Sequence, residues 1–162
     1  ASKKALEQGN NTSFTWKDLE YICKQTSLPV ILKGVTHPDD ALLALEYGVA
    51  GIIVSNHGGR QLDGAVATLD VLPSICRAIE NKIPVLVDSG IRRGADILKA
   101  IALGASAVLI GRPYAYALGV AGEIGVKEVL ENFIAETELQ LAISGRSTIK
   151  EVDRLLVTEE FR

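Results

Sequence analysis

Short apolar runs alternate with longer amphipathic stretches along most of the chain. The runs at 29–33, 51–54, 83–87 and 107–110 are rich in Val, Ile and Leu. Nearly continuous apolar runs of this length are typical of strands in a buried parallel sheet. Each is followed by a stretch with helical periodicity, so the alternation predicts an α/β fold with four parallel strands and flanking helices.

The boundaries of the helices are predicted from capping residues and from the glycines that follow. Helices are expected at residues 16–25 after the N-cap Thr15, and from the N-cap Thr36 to Gly48 with Pro38 in the first turn. Thr148 and Glu151 form a capping box that opens a final short helix. Three further helices are expected at 69–81, 94–103 and 126–144. Residues 1–13 are polar and are predicted to be a flexible loop or frayed terminus.

Two parts of the chain resemble each other. The segment 29–35 resembles 84–91, and 48–54 resembles 104–110, so each part has the order strand, helix, strand, helix. Polar residues and glycines follow every strand, and in a parallel sheet these positions share one edge, where ligands bind. A doubly wound sheet and a segment of a barrel both fit this pattern, although no G-x-G-x-x-G turn supports the nucleotide-binding fold.

Composition narrows the class of protein. The chain has 162 residues, 48% of them hydrophobic, and a net charge of −3 with no basic face, so no nucleic-acid partner is expected. No apolar run reaches the roughly 18 residues of a membrane span. Cys23 and Cys76 are expected to be free thiols in a reducing compartment. We therefore expect a cytoplasmic protein. A peroxisomal location stays open for eukaryotic relatives, although the last residues are not a peroxisomal targeting tripeptide.

The polar turn after the second strand contains the most informative chemistry. Residues 55–61 read SNHGGRQ, with His57 and Arg60 separated by two glycines that let a ligand approach the backbone. An imidazole can accept a proton near neutral pH. A guanidinium can bind a carboxylate through two hydrogen bonds. The pair predicts a site that holds an acid by its carboxylate and removes a proton beside it.

Two charged residues occupy matching positions at the ends of the first and third strands. Lys33 and Asp88 either form a structural ion pair or both face a polar ligand, and the sequence leaves both readings open. Glycine and arginine residues before two helix starts predict a phosphate site: Gly90, Arg92, Arg93, Gly111 and Arg112. His37 is expected to be a surface residue. No metal-binding or hydrolase motif is present, so no metal is expected.

Four motifs resemble those of the FMN-dependent 2-hydroxy-acid oxidases and dehydrogenases. They are LKG at 32–34, VSNHGGRQ at 54–61, DSGIRRG at 88–94 and IGRP at 110–113, and the resemblance extends over about residues 14–156. It implies that His57 is the base and Arg60 binds the substrate carboxylate. It also implies FMN as the cofactor, with Lys33 beside the flavin, Ser55 in contact with it and Asp88 on the ribityl chain. The phosphate end would be held by Ser89, Gly90, Ile91, Arg92, Gly111 and Arg112.

The resemblance also implies an incomplete barrel. Residues 14–162 correspond to the C-terminal half of a TIM (β/α)8 barrel, whose full form needs about 250 residues. The family's active-site tyrosines and the carboxylate that orients the histidine would lie outside this chain. Because open sheet edges promote aggregation, we expect a missing N-terminal half-barrel or a second copy as partner, in a homo-oligomer.

The predicted function is FMN-dependent oxidation of a small L-2-hydroxy acid, of the lactate or glycolate class, to the 2-oxo acid. Two other functions remain open at this stage. One is a catalytically inert half-barrel that binds FMN or phosphate. The other is a phosphate-binding barrel without flavin, such as an isomerase or aldolase.

Overall fold

The computed structural model describes residues 13–158, and their strands form one parallel sheet. The strands are β1 (Ile31–Val35), β2 (Gly51–Val54), β3 (Val85–Val87) and β4 (Ala107–Val108). They are hydrogen-bonded in the order β1-β2-β3-β4, and every pair is parallel. A doubly wound sheet reverses its strand order at a switch point, whereas neighbouring strands of a barrel follow chain order. The sequential order therefore favours a barrel segment.

Helices connect the strands and continue beyond the last one. They are α1 (Trp16–Gln25), α2 (Pro38–Glu46), α3 (Thr68–Ile79), α4 (Gly94–Ala102) and α5 (Arg112–Ile143). Short 3-10 turns occupy His57–Gly59, Ile149–Glu151 and Arg154–Leu156. Helix α5 is broken at Ala121 and Gly122, where Gly122 has φ +59°. The helix predicted at 126–144 is thus the second part of a longer element that begins at Arg112.

The two faces of the sheet differ in burial. On one face the neighbours Leu32, Ile52 and Val85 lie in register, and Ile52 and Val85 belong to the buried core. Lys33, Ile53 and Leu86 are paired in the same way. Because side chains alternate along a strand, this second row points away from the first. Its members are half-buried or exposed, so the second face is the more open one.

Strand β1 differs from its prediction. It covers Ile31–Val35 rather than residues 29–33, and its register with β2 shifts between Lys33 and Val35. The shift leaves Gly34 as a bulge with φ +101°, a conformation that favours glycine. Strands β3 and β4 are also shorter than predicted. Lys33 thus lies within β1, directly before the bulge, and not at the end of the strand as predicted.

The capping predictions have mixed outcomes. Thr15 caps α1 in a capping box with Asp18, as predicted. The prediction that Thr36 caps α2 is wrong, because His37 takes that position and its Nδ1 accepts a hydrogen bond from the Asp39 amide at 3.2 Å. An imidazole nitrogen can serve as the acceptor that a cap requires.

At the second predicted capping box, the Glu151 carboxylate accepts from the Ser147 amide at 2.9 Å and from the Thr148 hydroxyl at 3.3 Å. The segment that follows is a 3-10 turn. Cys23 and Cys76 are free thiols, as predicted. The predicted loop at residues 1–13 lies outside the described residues except for Ser13. Among residues 13–158, no helix is both long and apolar enough to cross a membrane.

Candidate functional site

A cavity of about 460 Å³ opens at the carboxyl edge of the sheet, a volume typical of small-molecule sites. Lys33 within β1 and residues that follow β2, β3 and β4 contribute to its lining. Every predicted site residue other than Ser55 and Arg93 lines this one cavity: Lys33, His57, Arg60, Asp88, Ser89, Gly90, Ile91, Arg92, Gly111 and Arg112. The parallel sheet explains this, because it brings the ends of distant strands to one edge.

Ser55 does not line the cavity, but its side chain bonds to two residues that do. Its side chain is buried, with 1% exposure, directly after β2. The hydroxyl oxygen accepts hydrogen bonds from Lys33 Nζ at 2.8 Å and from the His57 amide at 3.1 Å. The sequence motif predicts only a ligand contact for Ser55, because its bond to Lys33, a residue distant in sequence, carries no sequence signal.

Lys33 and Asp88 form an ion pair and also line the cavity. Lys33 Nζ lies 3.1 Å from Asp88 Oδ2, and 41% of the lysine side chain is exposed. Burial is the largest single influence on the pKa of Asp88 and raises it. Hydrogen bonds from Ser55 and Ser89 and the nearby Lys33 ammonium together outweigh burial, so the pKa lies below its ordinary value. Asp88 is therefore a carboxylate that holds Lys33 in place at the strand ends.

His57 is exposed and follows the end of β2 in a left-handed conformation, with φ +56°. Its ring lies against Gly34 in the bulge of β1. A Cβ atom placed on Gly34 would be 3.0 Å from His57 Cε1, closer than ordinary contact allows. Non-glycine residues in this backbone region cost about 1–3 kcal/mol and cluster at functional sites. Within residues 13–158 no hydrogen bond holds the imidazole ring.

Gly58, the residue after His57, is held through both its amide and its carbonyl group. The Gly58 amide donates to Ser89 Oγ at 3.0 Å, and Arg112 Nη2 donates to the Gly58 carbonyl at 2.6 Å. Ser89 Oγ also donates to Asp88 Oδ1 at 2.8 Å. The loops after β3 and β4 thus fix the loop that contains His57.

The two predicted anion-binding helix starts differ. At α4, the Asp96 carboxylate accepts from the amides of Arg92 and Arg93 at 3.0 and 3.1 Å, and Glu136 accepts from the Gly94 amide at 2.8 Å. These carboxylates occupy the positive end of the helix and leave those amides unavailable to an anion. No local sequence signal points to Glu136, because it comes from the distant helix α5.

The start of α5 is open instead. Within the described residues, no side chain caps this helix at Gly111, and a Cβ atom placed there would have no neighbour within 4 Å. Packing therefore does not demand glycine at this position. An open helix start beside the Arg112 guanidinium fits a phosphate group.

The cavity has the groups for binding and deprotonating an acid. Arg60 is exposed, and no hydrogen bond or ion pair within residues 13–158 engages its guanidinium. The same part of the chain contains no group of three or more His, Cys, Asp or Glu side chains that could hold a metal ion. The arrangement can hold a phosphate at one end and a carboxylate at Arg60, with an imidazole nearby.

The chain matches the family model of the FMN-dependent dehydrogenases over residues 1–159. It is 49% identical over 152 residues to 2-hydroxyacid oxidase 1 of Mus musculus, covering 94% of this chain and 41% of that protein. It is also 49% identical over 145 residues to L-lactate oxidase of Lysinibacillus sphaericus, covering 90% of this chain and 38% of that protein. The chain therefore spans about two fifths of the length of these relatives.

A solved structure agrees with these matches. The crystal structure of mandelate oxidase with benzoyl-formic acid superposes with a TM-score of 0.84 at 47% identity. The superposition covers 87% of this chain and 42% of that one. This partial coverage, together with the sequential parallel strands, confirms the predicted half of a TIM barrel.

Proposed function

The chain belongs to the family of FMN-dependent dehydrogenases, and from this premise we propose that it provides the FMN-binding and proton-accepting half of a 2-hydroxy-acid oxidase or dehydrogenase. The substrate would be a small L-2-hydroxy acid of the lactate or glycolate class, and the product its 2-oxo acid. One observation carries the proposal. A single cavity collects a proton acceptor, an ammonium, an open helix start and a guanidinium that no hydrogen bond or ion pair within residues 13–158 engages.

The residues at the carboxyl edge fit FMN. Gly111 and Arg112 would hold the phosphate at the start of α5, with the turn formed by Ser89, Gly90, Ile91 and Arg92 beside them. Asp88 would accept hydrogen bonds from the ribityl hydroxyls. Lys33 and Ser55 would lie near the ring, where the ammonium favours negative charge. When bound, FMN supplies the acceptor for the two electrons of the oxidation.

His57 and Arg60 would act on the substrate itself. Oxidation of a 2-hydroxy acid to a 2-oxo acid removes two electrons and two protons. His57 would accept one of these protons, and the other would pass with the two electrons to the bound flavin. General-base help of this kind is worth about 10²- to 10⁴-fold in rate. Arg60 would bind the substrate carboxylate through its two parallel N–H groups and so orient the reacting carbon.

A second candidate is a half-barrel that binds FMN but does not turn substrate over. It is favoured by the His57 ring, which no hydrogen bond within residues 13–158 orients.

Ile31 on the edge strand β1 is 45% exposed, and the second face of the sheet is open. We propose that a companion N-terminal half-barrel, or a second copy of the chain, covers this face. Three further expectations stay predictions: a domain boundary between residues 13 and 14, a homo-oligomer and a cytoplasmic location.

Flavin reduction tests the proposal. The chain is mixed with FMN, freed of excess ligand and examined for flavin absorbance, then treated anaerobically with L-lactate or glycolate. We expect bound flavin that loses its absorbance on reduction, and release of peroxide in air if the protein is an oxidase. Bound flavin that is not reduced would favour the inert half-barrel. No retained flavin would contradict both candidates.

A further inference from the structure

We propose that Ser89 is a positioning residue for His57, acting through the Gly58 peptide, and that its hydroxyl does not bind the phosphate group of the cofactor. The inference rests on the proposed role of His57 as the proton acceptor. It changes the role that the family resemblance implies for Ser89.

The hydroxyl of Ser89 is already used within the protein. It donates to Asp88 Oδ1 at 2.8 Å and accepts from the Gly58 amide at 3.0 Å. A hydroxyl has one proton to donate. A phosphate oxygen needs a donor, so a phosphate at Ser89 would have to displace Asp88, which the Lys33 ammonium holds at 3.1 Å.

The backbone of Ser89 indicates that this hydroxyl has a use. Its φ is +71°, where glycine is favoured and other residues are strained. The Thr68 hydroxyl lies within hydrogen-bond reach of the carbonyls of Asp88 and Ser89, at 2.9 and 3.1 Å, and holds this turn from the start of α3. Glycine would relieve the strain, but it would remove the acceptor for the Gly58 amide.

The Gly58 amide in turn controls the orientation of His57. The His57 backbone is fixed by Ser55 on its N-terminal side and by the Gly58 peptide on its C-terminal side. Its φ of +56° places the ring against Gly34. If the Gly58 amide loses its acceptor, rotation of this peptide lets the imidazole leave Gly34. Ser89 thus connects the Lys33–Asp88 pair to the proton acceptor.

Two variants at position 89 separate the effect of the hydroxyl from the effect of the strained backbone. Ser89→Ala removes the hydroxyl and keeps the strained backbone, whereas Ser89→Gly removes the hydroxyl and relieves the strain. Ser74→Ala is the matched control, since the half-buried Ser74 donates to the Val71 carbonyl at 2.7 Å within α3. The chain has only two histidines, so the imidazole NMR signals of His57 and His37 can be followed without flavin.

We expect both Ser89 variants to shift the His57 signal and to speed exchange of the Gly58 amide by about 2- to 10-fold, the effect of one lost hydrogen bond. The His37 signal and the FMN dissociation constant should stay unchanged, and Ser74→Ala should move none of these quantities. In the flavin-loaded protein, both Ser89 variants should lower the rate of flavin reduction.

Two results would overturn the inference. An unchanged His57 signal with weaker FMN binding in both variants would make Ser89 a phosphate ligand. If Ser89→Gly behaves like the wild type in these measurements while Ser89→Ala is destabilised, the hydroxyl only offsets backbone strain. Because the NMR measurements need no flavin chemistry, they decide the role of Ser89 even if the proposed oxidation fails.

Discussion

At both the carboxyl edge and the amino edge of the sheet, a glycine with positive φ lies against a side chain, but the two side chains have different environments. At the carboxyl edge, Gly34 has φ +101° and a Cβ atom on it would lie 3.0 Å from the ring of His57. At the amino edge, Gly104 has φ +110° and its Cβ atom would lie 3.0 Å from the sulfur of Cys76. His57 is exposed to a cavity, whereas Cys76 is buried.

Burial and neighbouring charges separate the two sites chemically. The pKa of the Cys76 thiol is raised to about 11, chiefly by burial. Asp88 at the opposite edge keeps a pKa below its ordinary value despite burial, because serine hydroxyls and Lys33 stabilise its charge. The glycine at each edge therefore only allows a neighbouring side chain to pack closely against the backbone. The environment of His57, exposed to the cavity, makes the carboxyl edge the candidate catalytic site.

The largest expected effect comes from removing the imidazole at the carboxyl edge. His57→Gln should lower the rate of flavin reduction by about 10²- to 10⁴-fold, because the amide cannot accept the proton. FMN should still bind. His37→Gln is the control, since His37 caps α2 on the surface. Stopped-flow reduction rates measure both variants, and an unchanged rate in His57→Gln would remove the histidine from the mechanism.

The paired glycine substitutions test the comparison directly. Gly34→Ala and Gly104→Ala should each destabilise the protein by about 1–3 kcal/mol, because both backbones have positive φ. Denaturant unfolding measures this loss. Only Gly34→Ala should also slow flavin reduction, since it displaces the His57 ring. Equal slowing by Gly104→Ala would show that loss of stability, not displacement of the imidazole, causes the defect.

A smaller effect is expected at Arg60. Arg60→Lys should weaken substrate binding about tenfold, because one ammonium cannot reproduce two parallel hydrogen bonds to a carboxylate. FMN affinity should stay the same. Steady-state kinetics measures KM in the complete enzyme, and a wild-type KM would argue against the carboxylate-binding role.

The smallest effects concern pH, where the two edges should respond at opposite ends of the scale. The lowered pKa of Asp88 contributes stability above its ordinary value of 3.8, and this is lost as pH falls through the lower pKa of the folded state. The raised pKa of Cys76 contributes stability below 9.0, lost as pH rises towards 11. Unfolding free energies at several pH values should therefore show a smaller acid slope in Asp88→Asn and a smaller alkaline slope in Cys76→Ala. Unchanged slopes would contradict this assignment.

The sequence predicted four parallel strands and the contents of the cavity, because apolar runs and polar strand ends are local patterns, but the pattern left the order of the strands open. It missed what depends on distant partners. Glu136 reaches the start of α4 from α5, and Ser55 binds Lys33 from the neighbouring strand. The bulge at Gly34 shifted the bounds of β1, because a glycine after a lysine does not reveal whether the strand ends or bulges there.

Helix α5 shows a related limit. Its first part is rich in exposed apolar side chains, among them Tyr116 at 66% and Val120 at 87% exposure. Periodicity assigns a helix by its buried stripe, and this part has little of one. The sequence therefore indicated a helix start after Arg112 but placed the long helix only from residue 126. Gly122 then breaks the element with φ +59°.

The most direct test of the central claim is to map FMN on the chain by amide NMR titration. We expect chemical-shift changes at residues 33–34, 57–60, 88–92 and 111–112, and none around Gly104 and Cys76 at the amino edge. Riboflavin, which has no phosphate group, should bind more weakly and leave residues 111–112 unperturbed. Shift changes centred on the amino edge, or none at the start of α5, would contradict the proposed FMN site.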